Sequence, residues 1–158
     1  MPVRRRLRAP RRADGYLVAA IRQHRRETWR WQRLIGEART PAAAGERDPS
    51  HAYRRWVRNL WRRRAAVARR RAANPPHRGA WTCIHGHEGA WNDPNSPYYG
   101  GLQMDLAFQR AWGPELLAQK GTADRWTPIE QMWVAERAHR SGLGFMPWPN
   151  TARMCGLR

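Results

Sequence analysis

The sequence predicts a mainly α-helical chain with one small β element, an α+β arrangement preceded by a basic helical N-terminal segment. Three observations carry that expectation. Tyr53, Trp56, Val57, Leu60, Trp61, Ala65, Val67 and Ala68 recur at three- and four-residue intervals, the period of one helix face. Thr127-Pro128-Ile129-Glu130 is a capping box with proline at the first helical position. Between these two helical signals, the turn-rich run Asn92-Asp93-Pro94-Asn95-Ser96-Pro97 leads into Tyr98-Tyr99-Gly100-Gly101-Leu102-Gln103-Met104. The aromatics and glycines of that stretch suit a short strand or tight hairpin with close backbone approach.

The 158 residues, 41% of them apolar, are enough for one ordinary core and not comfortably for two. The formal charge is +18, and it is unevenly placed. Residues 1–80 carry 23 basic and five acidic side chains, whereas residues 81–158 carry seven of each. A uniformly basic protein is therefore excluded. The pattern is that of a neutral globular module behind a polybasic segment that seeks an anionic surface. The longest uncharged apolar run, Tyr16 to Ile21, is six residues, far short of the roughly 18 to 20 that cross a bilayer. Arg4, Arg5, Arg6 and Arg8 resemble the charged start of a signal peptide, but no apolar region of about 7 to 15 residues follows, so ordinary secretion is not expected.

Residues 1–14, mostly Arg, Ala and Pro, are expected to be a disordered basic tail. Leu17, Ile21, Trp31 and Ile35 then fall near helical spacing. Residues 36–50, with Pro41, Gly45, Pro49 and three consecutive alanines, read as a linker. Ser50 is placed to cap the strong amphipathic helix that follows, which should end before Asn74-Pro75-Pro76. The expected divisions are thus a tail over 1–14, an Arg/Trp-rich helical segment over 15–76 and a neutral domain over 77–158. Arg54, Arg55, Arg58, Arg62, Arg63, Arg69, Arg70 and Arg71 occupy the remaining faces of the amphipathic helix. They read either as a solvated face or as contacts for a polyanion or membrane surface. In the neutral half, a helix is expected over Trp81 to Glu88, a second from an Asp105 cap through Trp112, and a third from Thr127 up to Gly142.

Glu88 is the leading catalytic candidate. It lies seven residues after Trp81 and four after Ile84, so on a helix it shares their apolar side. Desolvation there would favour its protonated form, and a carboxylic acid kept neutral can donate a proton to a glycosidic oxygen; the spacing equally fits a helix-end glutamate paired with one of the many arginines. Cys83-x-His85-x-His87-Glu88 has the composition of a metal site. Its alternate spacing disperses the ligands around a helix, however, and neither a metal nor a cofactor is expected. Two cysteines, Cys83 and Cys155, are too few for a disulfide framework, and because they bracket the neutral half a single clasp is the economical reading.

The run from Trp81 to Met104, with Glu88-Gly89-Ala90-Trp91 followed by Tyr98-Tyr99-Gly100-Gly101-Leu102-Gln103-Met104, resembles the transglycosylase-like domain of resuscitation-promoting factors, within the lysozyme and lytic transglycosylase group. The likeness continues through Gln131, Ala135-Glu136-Arg137 and Trp148-Pro149 to Cys155. It implies a lysozyme-like fold over about residues 80–156. It also implies Glu88 as the catalytic acid, Gln103 with the Gly100-Gly101 backbone as the small β element lining the cleft, Trp91 and Tyr99 as packing or sugar-contact residues, and Cys83 with Cys155 as the pair that closes the domain. The sequence departs from that pattern in one respect. In the resuscitation-promoting factors Cys directly precedes the Glu and Trp comes five residues after it, whereas here Cys83 is five residues before Glu88 and Trp91 three after it.

The resemblance implies cleavage of the β-1,4 bond between N-acetylmuramic acid and N-acetylglucosamine by one Glu, with the substrate's own N-acetyl group or 6-hydroxyl as nucleophile. The expected partners are peptidoglycan glycan strands, with the Arg-rich segment on anionic wall polymer or membrane, and the expected state is a monomer at the cell wall or outside the cell. The competing reading is a nucleic-acid- or polyanion-binding protein with a non-catalytic lysozyme-like module, in which Arg and interleaved Trp supply phosphate contact and stacking.

Overall fold

The computed structural model describes residues 11–47 and 50–158, and these are mainly helical. They fall into two compact units, the described parts of 1–33 with 37–70, and Leu34–Gly36 with Arg71–Arg158.

The first unit is built from α1 (Arg11–Ile35) and α2 (His51–Ala72), whose last two residues in each case count with the second unit. Helix α1 starts earlier than its apolar spacing predicts, so Arg11–Asp14 of the expected disordered tail are helical. The rest of that tail lies outside the described residues. Asp14 sits in the first turn, where a negative charge complements the exposed N–H groups. Ile21, Val57 and Trp61 form the core, with Trp29 and Tyr53 packed against them, and Trp29 meets Trp61 edge to face at 5.7 Å. Trp56 belongs to the same apolar stripe in sequence but stays half exposed, stacked on Tyr53.

The connection between α1 and α2 is more than a spacer. Thr40 exchanges two hydrogen bonds with the Gln32 side chain, and Trp29 Nε1 donates to Thr40 O at 2.8 Å. A short 3-10 turn over Ala44–Arg47 presents Glu46, which accepts hydrogen bonds from Arg25 and, at 2.7 Å, from Trp61 Nε1. Burial alone would raise the Glu46 carboxyl. The bonds from Trp61, Arg25 and the Ala43 N–H outweigh burial and hold it below its ordinary value.

The second unit comprises α3 (Arg78–Glu88), α4 (Leu106–Trp112), α5 (Pro114–Lys120), a 3-10 turn over Ala123–Arg125, α6 (Pro128–Ala138) and α7 (Pro149–Met154). Helix α3 begins three residues before the expected Trp81. Asp105 caps α4 by accepting from Phe108 N at 2.7 Å, and Thr127 and Glu130 complete the capping box of α6. Each such cap is worth about 1 kcal/mol. Helix α6 is buried on nearly every side, from Glu130 through Glu136. A central helix cannot carry unpaired polar groups, and each of its polar side chains is answered. Lys120 Nζ lies 2.8 Å from both Glu130 oxygens, and Glu136 and Gln131 are held by the networks described below.

Helix α6 stops at Ala138, short of the expected Gly142. A wide turn over His139–Leu143 follows, in which Gly144 N reaches back to His139 O and Gly142 adopts φ +103°, a conformation glycine alone takes readily. Residues near the ends of α1 and α2 complete this unit. Trp133 Nε1 donates to Ala72 O at 2.7 Å, Arg137 to Leu34 O at 3.1 Å and Arg140 to Ile35 O at 3.2 Å. Of the expected short strand or hairpin, the described residues show only one isolated antiparallel bridge, Tyr99 with Met104, closed by reciprocal backbone bonds of 3.0 and 2.9 Å. Among the described residues no helix is long and apolar enough to cross a membrane.

Candidate functional site

Glu88 is the last residue of α3, and two ties fix it against α7. Cys83 is disulfide-bonded to Cys155. The Thr151 hydroxyl donates to Glu88 Oε1 at 2.8 Å. Because Glu88 lies five residues after Cys83 and Thr151 four before Cys155, the covalent link and the hydrogen bond are successive rungs of one α3–α7 contact. Glu88 is half-buried rather than sealed into the apolar face that its spacing suggests.

Gln103 stands beside Gly89, the residue that follows Glu88. The Gln103 Nε2 lies only 3.2 Å from where a Cβ on Gly89 would sit, and it donates to Asp93 Oδ2 and to Gly100 O, both at 2.9 Å. The Gln103 backbone has φ +48°, a left-handed conformation that costs a non-glycine residue about 1–2 kcal/mol. Such strain persists where surrounding bonds over-determine it, as the two amide bonds do here. Asp93 is held below its ordinary carboxyl range by the Asn95 N–H and then by Gln103, so a standing negative charge lies 3.4 Å from the Cβ position of Gly89, the neighbour of Glu88.

Gln103 and the turn before α7 also line a groove of about 260 Å³, whose walls are Tyr98, Gln103, Met104, Asp105, Phe108, Pro147 and Trp148. Glu88 itself is not in the lining. Thr151 Oγ1 lies 3.4 Å from Trp148 O as well as against Glu88, so the groove wall and the carboxylate share a support.

The remaining predicted site residues are placed differently. Gly101 is buried, and its N–H is already given to Gln131 Oε1 at 2.9 Å. Trp91 stacks on His85 at 4.0 Å, and a Cβ on Gly101 would lie 2.7 Å from the Trp91 ring. The second glycine of the pair is therefore required by packing. Gly100 is required twice over, by φ +74° and by Gln131 Oε1 at 2.5 Å from a would-be Cβ. Tyr99 is partly buried in the bridge with Met104. The organiser of this loop is Gln131, whose Nε2 faces the carbonyls of Trp91, Ala123 and Trp126 at 2.8 to 3.1 Å.

Two contacts of the candidate site are absent from the sequence expectations. Thr151 carries no motif of its own, and only the Cys83–Cys155 pairing could have brought it to Glu88. The Asp93–Gln103 contact depends on a left-handed backbone that no residue type announces. Of the metal-friendly cluster, Cys83 and His87 converge with Cys155 from outside it, but both sulfurs are consumed by their bond, while His85 Nδ1 lies 3.2 Å from Gly101 O.

No protein-family model, curated protein or solved structure matches the chain.

Proposed function

We propose that the second unit is a lysozyme-like domain that cleaves the β-1,4 bond between N-acetylmuramic acid and N-acetylglucosamine, as a glycosidase or lytic transglycosylase, with Glu88 as its single catalytic acid. The observation that supports this reading best is the setting of Glu88, a half-buried carboxyl at a helix end that accepts the Thr151 hydroxyl and is followed by Gly89, against which Gln103 of an open, aromatic-lined groove is packed. Aromatic faces and a few polar groups suit sugar rings.

Glu88 in its protonated form gives its proton to the glycosidic oxygen as the bond from C1 breaks. The substrate's N-acetyl oxygen then closes on C1 as an oxazolinium ion, which water opens with loss of its proton to the Glu88 carboxylate, or the 6-hydroxyl closes on C1 and returns its proton to Glu88 as an anhydro-sugar forms. The Arg-rich first unit supplies affinity for anionic wall polymer or membrane. Its Arg22, Arg26, Arg55, Arg62 and Arg63 are exposed. The same surface fits the competing reading, a polyanion binder without catalysis.

Release of soluble fragments from purified peptidoglycan by the full chain separates the two. Glu88→Gln keeps the shape and removes the transferable proton, and it should lower turnover by about 10²–10⁴-fold while the far-ultraviolet circular dichroism stays unchanged. Turnover within a few-fold of wild type, or none in the wild-type chain, removes the catalytic reading. Retention on intact wall should weaken with rising salt in wild type and variant alike.

A further inference from the structure

Away from the groove, where α3 begins, Glu136 of α6 is completely buried. One of its oxygens is fully engaged, since Oε1 accepts the His77 backbone N–H and the Trp81 indole N–H, both at 2.8 Å. These two donors fix the carboxylate plane. The imidazole of His77 faces both oxygens, its Nδ1 lying 3.2 Å from Oε1 and 3.1 Å from Oε2, and Oε2 has no other hydrogen-bond partner among the described residues. His139 follows Glu136 by three residues, the spacing that places two side chains on one helical face. Its ring lies against that of His77 with centroids 4.2 Å apart, and among the described residues neither of its nitrogens makes a hydrogen bond. A nitrogen of each histidine and a Glu136 oxygen all lie within 4.8 Å of one another.

We propose that His77, Glu136 and His139 form a binding site for a divalent transition-metal ion of the zinc type, with a fourth position open to solvent. Ligand atoms on a tetrahedral zinc are about 3.3 Å apart, close to the separation between His77 Nδ1 and Glu136 Oε2. Two imidazoles and one carboxylate suit zinc or its neighbours and are too few and too soft for calcium or magnesium. The Trp81 and His77 N–H groups act as outer-shell donors that aim the carboxylate, and Trp81 and Phe145 pack around the histidines as an apolar wall. The open position lies on the His77 side, where that side chain is 39% exposed. A bound ion would tie the start of α3 to the end of α6. This site is independent of the reading of Glu88.

The test uses the full chain, chelator-treated with its disulfide intact, titrated with Zn²⁺ and separately with Co²⁺. One ion per chain is expected, with visible Co²⁺ absorption of a low-coordinate site. His139→Ala, which removes no hydrogen bond, should weaken binding at least tenfold at unchanged circular dichroism, and His87→Ala should leave it unaltered. In the wild-type chain, imidazole resonances of two of the six histidines should respond to Zn²⁺. That measurement stands even if a variant does not fold. Absence of binding, binding unaffected by His139→Ala, or a Zn²⁺ response at histidines other than His77 and His139 would overturn the proposal.

Discussion

The two units differ in the side chain that gathers most of their loop contacts, although the second also buries the carboxylates Glu130 and Glu136. In the first, the central polar contact is ionic. Glu46 gathers Arg25, Arg64 and the Trp61 indole, and Arg69 with Glu27 and Arg54 with Asp14 add further ion pairs. In the second, the loops are organised by neutral amides. Gln131 serves Gly101, Trp91, Ala123 and Trp126, and Gln109 serves Met104 O and Ala123 N. A covalent clasp is added to these. The difference follows from composition: a segment with nearly all of the positive charge must place its few carboxylates where they neutralise several arginines at once. A segment with balanced charge can hold its turns with groups whose bonds do not depend on pH or salt. The first unit should therefore respond to solution conditions, and the second to loss of particular covalent or amide links.

The largest expected effect is on the clasp. The Cys83–Cys155 bond closes a loop with a sequence separation of 72, for which the chain-entropy contribution is about 4 kcal/mol. Replacing both cysteines by serine should lower hydrogen-exchange protection throughout the second unit and leave the α1–α2 core unchanged. Equal loss in both units would break the comparison. A smaller effect is expected from shortening the chain. A chain starting at Pro75 loses the Ala72 carbonyl that receives the buried Trp133 indole N–H, whereas one starting at Arg71 keeps it. An unpaired buried donor costs about 1–3 kcal/mol, so the longer chain should unfold at higher urea. Both lack Leu34–Gly36, so both should be weaker than the full chain, in which Arg137 and Arg140 donate to Leu34 O and Ile35 O. Equal urea midpoints for the two truncations would show that the Trp133 bond contributes nothing measurable.

Much of this was legible in the sequence, and the limits are physical. Helix caps at Asp105 and Thr127 could be read because a cap is local, one side chain bonding a backbone N–H three residues on. The amphipathic period of α2 located Val57 and Trp61 in a core, yet period alone could not tell that Trp56 on the same stripe would remain half exposed. The early end of α6 was missed because Gly142 takes its positive φ inside a wide turn that has no sequence signature. At the site, Glu88 was found from its position on α3 and from motif likeness. Thr151, 63 residues away, could not be found that way, since its role arises only when α7 folds against α3. Gly101 was expected in the cleft and proves to be buried by packing, because a glycine tells that something approaches closely and not what approaches.

The smallest expected effect sharpens the ionic side of the comparison. The Glu46 carboxyl is held below its ordinary value of 4.5, the Trp61, Arg25 and Ala43 bonds outweighing the burial that would raise it. A carboxyl depressed in the folded state contributes stability that is present above the unfolded value and is lost as pH falls through the folded one. Acidification below 4.5 should therefore loosen the first unit progressively, read from the Trp61 indole N–H resonance and from exchange protection in α1 and α2. Glu46→Gln should remove about 2 kcal/mol at neutral pH, since an amide gives up the charge-assisted part of the bonds from Arg25 and Trp61. It should also flatten the acid response of that unit, because the group that titrates is gone. If the variant loosens with acid as steeply as wild type, Glu46 does not carry the response.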